Sequence, residues 1–113
     1  MTLPRKNRIT TREFKRFLRK GRRIRGEVCS LQYGPIHGAV PKVAVVVPVR
    51  TEPSAVQRNR IRRKIVEVVA EFLPELKAPM FLIVRIHRGG EVHVSVCKKE
   101  LDTMLRKSGI ISR

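Results

Sequence analysis

The stretch from Ser54 to Leu73 limits what this chain can become more than any other part of it. Ser54 and Gln57 have the spacing of a helix capping box, and Pro74 forbids continuation past Leu73. Wound at about 100° per residue, the segment gathers Ile61, Ile65, Val68, Val69 and Phe72 on one face, which predicts a core contact. Toward the C-terminal end the apolar arc widens to take in Val66, Ala70 and Leu73. Toward the N-terminal end it narrows, and Arg58 sits where an apolar residue would continue it. Asn59, Arg60 and Arg63 point away from the core face, with Arg62 and Lys64 on its flanks. The pattern predicts a helix embedded at its end and exposed at its start.

The neighbouring segments fill in the fold class. Residues 1–8 read as a basic N-terminal tail of a single domain spanning 1–113. Thr10 or Thr11 offers an N-cap, Glu13 suits a first turn, and Phe14, Phe17 and Leu18 follow at helical spacing until Gly21. Glu27 to Tyr33 reads as a strand, Gly34-Pro35 and Gly38 as a loop. Val43 to Val47 and Met80 to Ile86 are apolar runs that read as buried strands, with Pro48 ending the first. His87 to Gly90 reads as a turn. Glu91 to Val96 alternates, so it either adds a strand or leads into a last helix running from about Val96 to Lys107. The order helix, strands, helix, strand, helix predicts an α+β domain with a single mixed sheet packed by helices.

Charge then narrows the function. The chain has 113 residues, with 26 Lys and Arg against 9 Asp and Glu, a formal net charge of +17. Such self-repulsion implies a polyanionic partner, and nucleic acid is the commonest. A membrane surface fits worse, since the chain shows neither a lipidation signal nor an apolar run of the roughly 20 residues that span a bilayer. The polar, basic N-terminus lacks the apolar core of a signal peptide, so a cytoplasmic setting is expected. There Cys29 and Cys97 stay thiols.

The basic cluster on the long helix sharpens this. Helix starts favour acidic residues, each by about 0.3–1 kcal/mol. Here Arg58, Arg60, Arg62, Arg63 and Lys64 occupy that end. A Lys/Glu-mixed face would be ordinary solvated surface, whereas a one-sign cluster at the unfavourable end is explained by a bound anion. The arginine forks suit phosphate and stack on bases, and Asn59 suits a base edge or a 2′-hydroxyl. Other chemistry finds little footing. His93 and Cys97 with Cys29 or His87 do not follow a zinc pattern, Glu67 lies beside Arg63 and Lys64 as an ion-pairing residue, and no phosphate loop, nucleophile triad or carboxylate cage is present. No catalytic residue, protein-held metal or small-molecule substrate is expected.

The run Ala55-Val56-Gln57-Arg58-Asn59-Arg60-Ile61-Arg62-Arg63-Lys64-Ile65-Val66-Glu67 resembles the Arg-Asn-Arg helix of the protein subunit of bacterial ribonuclease P. Asn7-Arg8-Ile9 with Phe14 and Gly21 looks like the opening of that family, and Leu105-Arg106-Lys107-Ser108 is similar to its end. The resemblance implies an α+β sandwich with a left-handed βαβ crossover, against the general handedness rule. It implies binding to a large catalytic RNA and to the 5′ leader of precursor tRNA, with Mg²⁺ held mainly through the RNA, which performs the cleavage. Arg58, Asn59, Arg60, Arg62, Arg63 and Lys64 would face RNA, as would Arg5, Asn7, Arg8 and Arg50. Phe14, Phe17, Leu18 and Tyr33 would line a cleft for the leader. Departures are Leu18 where a second aromatic is frequent, a single Arg50 beside Glu52 after the central strand, and Val66 where an Arg is common. Two other classes compete: a structural ribosomal or RNA-assembly protein, and a stand-alone nuclease or DNA-binding protein.

Overall fold

A computed structural model describes residues 3–88 and 93–112. Helix α1 (Thr11–Phe17) begins at Thr10, whose hydroxyl accepts from the Glu13 N–H while the Glu13 carboxylate accepts from the Thr10 N–H. This reciprocal cap stabilises so short a helix by satisfying two otherwise orphaned donors. Past α1 the chain turns at Gly21, at φ +82°, where a Cβ would collide with the Tyr33 carbonyl. Four strands follow the sequence order β1 (Arg22–Arg25), β2 (Cys29–Pro35), β3 (Lys42–Val46) and β4 (Met80–Ile86). Helix α2 (Ala55–Phe72) joins β3 to β4, and α3 (Val94–Lys107) closes the domain.

The strands form one sheet in the order β1-β2-β4-β3. β1 and β4 each run antiparallel to β2, whereas β3 runs parallel to β4. The sheet is therefore mixed, and β3–α2–β4 is a βαβ unit with adjacent strands. Alternation along each strand divides the interior. Leu31, Val43, Val45, Leu82, Val84 and Ile86 face α2 and α3 and form the main core with Ile61, Ile65, Val68, Val69 and Phe72, the residues the helical wheel places together. Phe81 and Ile83 face the other way and pack with Phe17 of α1, with Phe14, Leu18, Ala44 and Val46 around them.

Several expectations are corrected by this arrangement. β1 departs from the sequence expectation: Arg22–Arg25 is too charged and too short to read as a strand, and it becomes one by pairing with β2 at the sheet edge. Gly34 and Pro35 belong to β2 and not to a loop, because they pair with Phe81 and Met80 of β4, and Gly34 leaves room for the Phe81 ring, which comes within 2.7 Å of where a Cβ would stand. The basic tail is docked where it is described. Leu3 is buried in the main core, residues 5–7 form a 3₁₀ turn, and Arg8 bridges to Val43 of the outer strand. The last helix starts at Val94, so Val94 to Val96 are helical. Glu91 and Val92 lie outside the described residues, as do Gly89 and Gly90 of the expected turn. At Ser54 the hydroxyl accepts from the Gln57 N–H, which is one half of the expected capping box; the Ser54 N–H donates to Glu52 Oε2 at 3.4 Å and not to the Gln57 side chain.

One polar contact ties α3 to the sheet. The Glu100 carboxylate accepts from the backbone N–H groups of Glu27, Val28 and Cys29 at 2.7, 2.9 and 3.0 Å, in the turn between β1 and β2. Burial pushes this carboxyl up, but the three backbone donors outweigh it and hold it below the usual carboxylate range. A depressed acid stabilises the fold above its unfolded-state value and loses that contribution as pH falls through the folded one. Glu100→Gln should thus lower stability by roughly 1–3 kcal/mol near neutral pH. The deficit should shrink below about pH 4, near the ordinary glutamate value, which chemical denaturation across a pH series would show.

Candidate nucleic-acid interface

The first half of α2 carries no acid in its opening turn, and its cations stand on the solvent side. Asn59, Arg60, Arg63 and Lys64 are exposed, while Ile61 and Ile65 between them are buried. Arg62 is half-buried, and its Nη1 donates to Asn59 Oδ1 at 2.6 Å. Arg58 differs from the rest. Its Nη1 donates to the carbonyls of Glu52 and Pro53 at 3.0 and 2.7 Å, so it braces the loop that leads into the helix.

The N-terminal segment reaches the same region. Arg8 is exposed, its Nε donates to Leu3 O at 3.1 Å, and it borders one groove together with Arg62 and Arg63. Arg5 is exposed in the 3₁₀ turn, and Arg50 is exposed in the turn between β3 and α2. Asn7, grouped with them from sequence, is buried and its amide donates to Pro41 O at 2.9 Å. Its side chain holds the segment against the loop before β3 and does not face outward.

A second basic region lies on the sheet face that α1 only partly covers. The cleft residues expected from sequence divide there. Phe14 and Leu18 are half-buried at its edge. Phe17 is 5% exposed and stacks on Phe81, ring centroids 4.5 Å apart and planes 1° from parallel. It is core, and its ring face is not open to a ligand. Tyr33 sits on the opposite side of the sheet, against the main core, because β2 alternates and Gln32 takes the cleft-facing position. Gln32 donates from Nε2 to the carbonyls of Phe17, Leu18 and Lys20, anchoring the end of α1, and its Oε1 accepts from Arg23.

Beyond α1 this face is open. Arg23, Arg25, Ser30, Gln32, Ile83, Arg85 and His87 line a cavity of about 100 Å³. Burial pushes the His87 imidazole below its usual value, and the charges of Arg25 and Arg85 push it further the same way. The arginines of this face were not singled out in the sequence. Arg23 and Arg25 flank Ile24 in the alternation of a strand, but four residues, three of them charged, do not declare one without their partner.

Comparison with known proteins decides what this surface belongs to. The family model described as Ribonuclease P matches residues 3–109. The chain belongs to the ribonuclease P protein family. A ribonuclease P protein component from a Picosynechococcus strain is 26% identical over 87 residues, 76% of this chain and 75% of that protein. The fold is shared with the Staphylococcus aureus RNase P protein, at a TM-score of 0.79 and 17% identity over 94% of this chain and 98% of that one. The Thermotoga maritima RNase P protein gives 0.67 and 13% over 85% and 91%. Membership makes the chain a subunit of a ribonucleoprotein endoribonuclease of tRNA processing, with RNA as its partner and the catalytic role in that RNA. Its ribonuclease P fold thus presents two arginine-bearing surfaces, one on α2 and one on the sheet. No described helix is long and apolar enough to cross a membrane.

Two measurements follow. Phe17→Ala should cost about 3–5 kcal/mol of stability, and Phe14→Ala clearly less, since its ring is already partly in water; thermal unfolding of the two variants compares them. His87 gives the second. Its depressed value means that acidification below the ordinary imidazole range, about 6.5, destabilises the fold. A polyanion seated between Arg25 and Arg85 should raise the value again. Titration of the imidazole protons by NMR, with and without a short single-stranded RNA, should show that upward movement.

Proposed function

We propose that the exposed half of α2 binds the catalytic RNA of ribonuclease P, and that the cleft between α1 and the open sheet face holds the 5′ leader of precursor tRNA. The observation that carries the first part is the split character of α2. Its second half is sunk in the core, which fixes the orientation of Asn59, Arg60, Arg62 and Arg63 on the first half. Arginines on a rigid helix meet phosphates with little ordering to lose. Phe14 and Leu18 lie on the same sheet face as Arg23, Arg25 and Arg85, which supports the second part, since an aromatic edge on a face that carries cations is what single-stranded RNA requires. Among the described residues no group of three His, Cys, Asp or Glu could hold a metal ion. In this reading the Mg²⁺ of the reaction is held by RNA phosphates, and the protein contributes cations and position.

Arg60→Ala and Arg63→Ala test the assignment. Both side chains are exposed, so neither variant leaves a cavity, and relief of repulsion with the helix dipole should hold or raise stability by a few tenths of a kcal/mol. Each should weaken binding to the catalytic RNA and flatten the slope of log affinity against log salt by about one. Arg→Lys should restore the slope but only part of the affinity. Arg58→Ala should lower stability as well, because it removes the brace on the loop. Unchanged binding by both alanine variants across a salt series would place the RNA surface elsewhere.

A further inference from the structure

The groove between α2 and the outer strand β3 is unlike the rest of this basic surface. It encloses about 420 Å³ and is walled by Ile9, Ala44, Val45 and Val66. Arg8, Arg62 and Arg63 stand at its border, and Glu67 contributes a carboxylate. Two of the three guanidinium groups are already positioned. Arg8 is tied through its backbone to Val43 and through Nε to Leu3 O, and Arg62 is tied to Asn59. We propose that this groove receives one unstacked base of the partner RNA, with the adjoining phosphates on the arginines at its border.

The chemistry of the lining separates a base from a phosphate. A phosphate needs donors on several sides, and the aliphatic walls provide none. A nucleobase has an apolar face to bury against Val45 and Val66, and guanidinium planes at the border extend the stacking surface. Its own backbone brings negative charge to Arg62 and Arg63, so one nucleotide satisfies both halves of the site. The groove also opens beside the outer edge of β3, where among the described residues the N-terminal segment pairs near Val43, through the Arg8 bridge and the bond from the Ile9 N–H to the Val43 carbonyl. The proposal rests on the reading that α2 faces the catalytic RNA and adds a site of different chemistry to it.

The test combines affinity with base reactivity, using the whole protein and the ribonuclease P RNA transcribed from the same genome. Dimethyl sulfate and a carbodiimide report base edges, and hydroxyl radicals report the backbone. With the parent protein, one unpaired nucleotide within the backbone footprint should be shielded at its base. Val66→Phe fills the groove. It should weaken binding about 5- to 150-fold, the range expected for one stacked base, and restore reactivity at that nucleotide while the backbone footprint persists at saturating protein. Val66→Thr keeps the shape but makes the wall polar. It should act in the same direction with a smaller loss, and serves if the larger ring disturbs folding in a thermal scan. Unchanged affinity in the folded variants, or weakened binding with no change in base reactivity, would overturn the base site. If Arg60→Ala still weakened binding in that case, the RNA-facing helix would stand without it. If Arg60→Ala and Arg63→Ala also bound like the parent, the underlying reading would fall with it.

Discussion

Burial of β4 on both faces is the constraint from which the rest of this molecule follows. Leu82, Val84 and Ile86 point to one side and Phe81 and Ile83 to the other, all of them almost wholly removed from water. A strand that is apolar on both faces has to be covered twice. Helices α2 and α3 cover one face, and α1 covers one end of the other through the Phe17–Phe81 stack. The half-buried Arg85 breaks the apolar run of β4, toward the end of the second face that α1 leaves open. The incomplete second layer is therefore what leaves a basic cleft on the sheet.

The same packing makes the concentrated charge tolerable. A helix that began with arginines and had no other support would be weakened by its own dipole. In α2 the loss is offset by burial of Ile61, Ile65, Val68, Val69 and Phe72, and by the Ser54 cap. Stability comes from the apolar face, most of it in the second half of the helix, and the cationic surface from the opposite face of the first half. Glu100 adds the opposite kind of contact, a single acid satisfied by three backbone donors, and fixes the β1–β2 turn whose strands carry Arg23 and Arg25.

Legibility followed the range of the interactions. The α2 wheel needs only neighbours within the helix, and every residue it placed in the core is there. The apolar run Met80–Ile86 named its strand to the residue. The reciprocal cap at Thr10 and Glu13 is likewise local. Most of what failed depends on partners distant in sequence. β1 exists because β2 lies beside it, Gly34 and Pro35 are in a strand because β4 pairs with them, and Tyr33 faces away from the cleft because the alternation of β2 puts Gln32 there. A shift of one residue in a strand reverses the face of its side chain, and the alternation Cys29-Ser30-Leu31-Gln32-Tyr33 is the local signal that groups Tyr33 with the core face and Gln32 with the cleft.

The sequence by itself determined the composition of the RNA-facing helix, the α+β order of elements and the family, because amphipathic period, charge and the run from Arg58 to Arg63 are properties of contiguous residues. Tertiary structure alone decided which of the basic and aromatic side chains are on offer. It turned Asn7 and Phe17 inward, set Arg58 against its own loop, and drew Arg8 beside Arg62 and Arg63. It also assembled Arg23, Arg25 and Arg85 from two strands about sixty residues apart. Whether a side chain faces solvent or core depends on what packs above it, and that partner lies elsewhere in the chain.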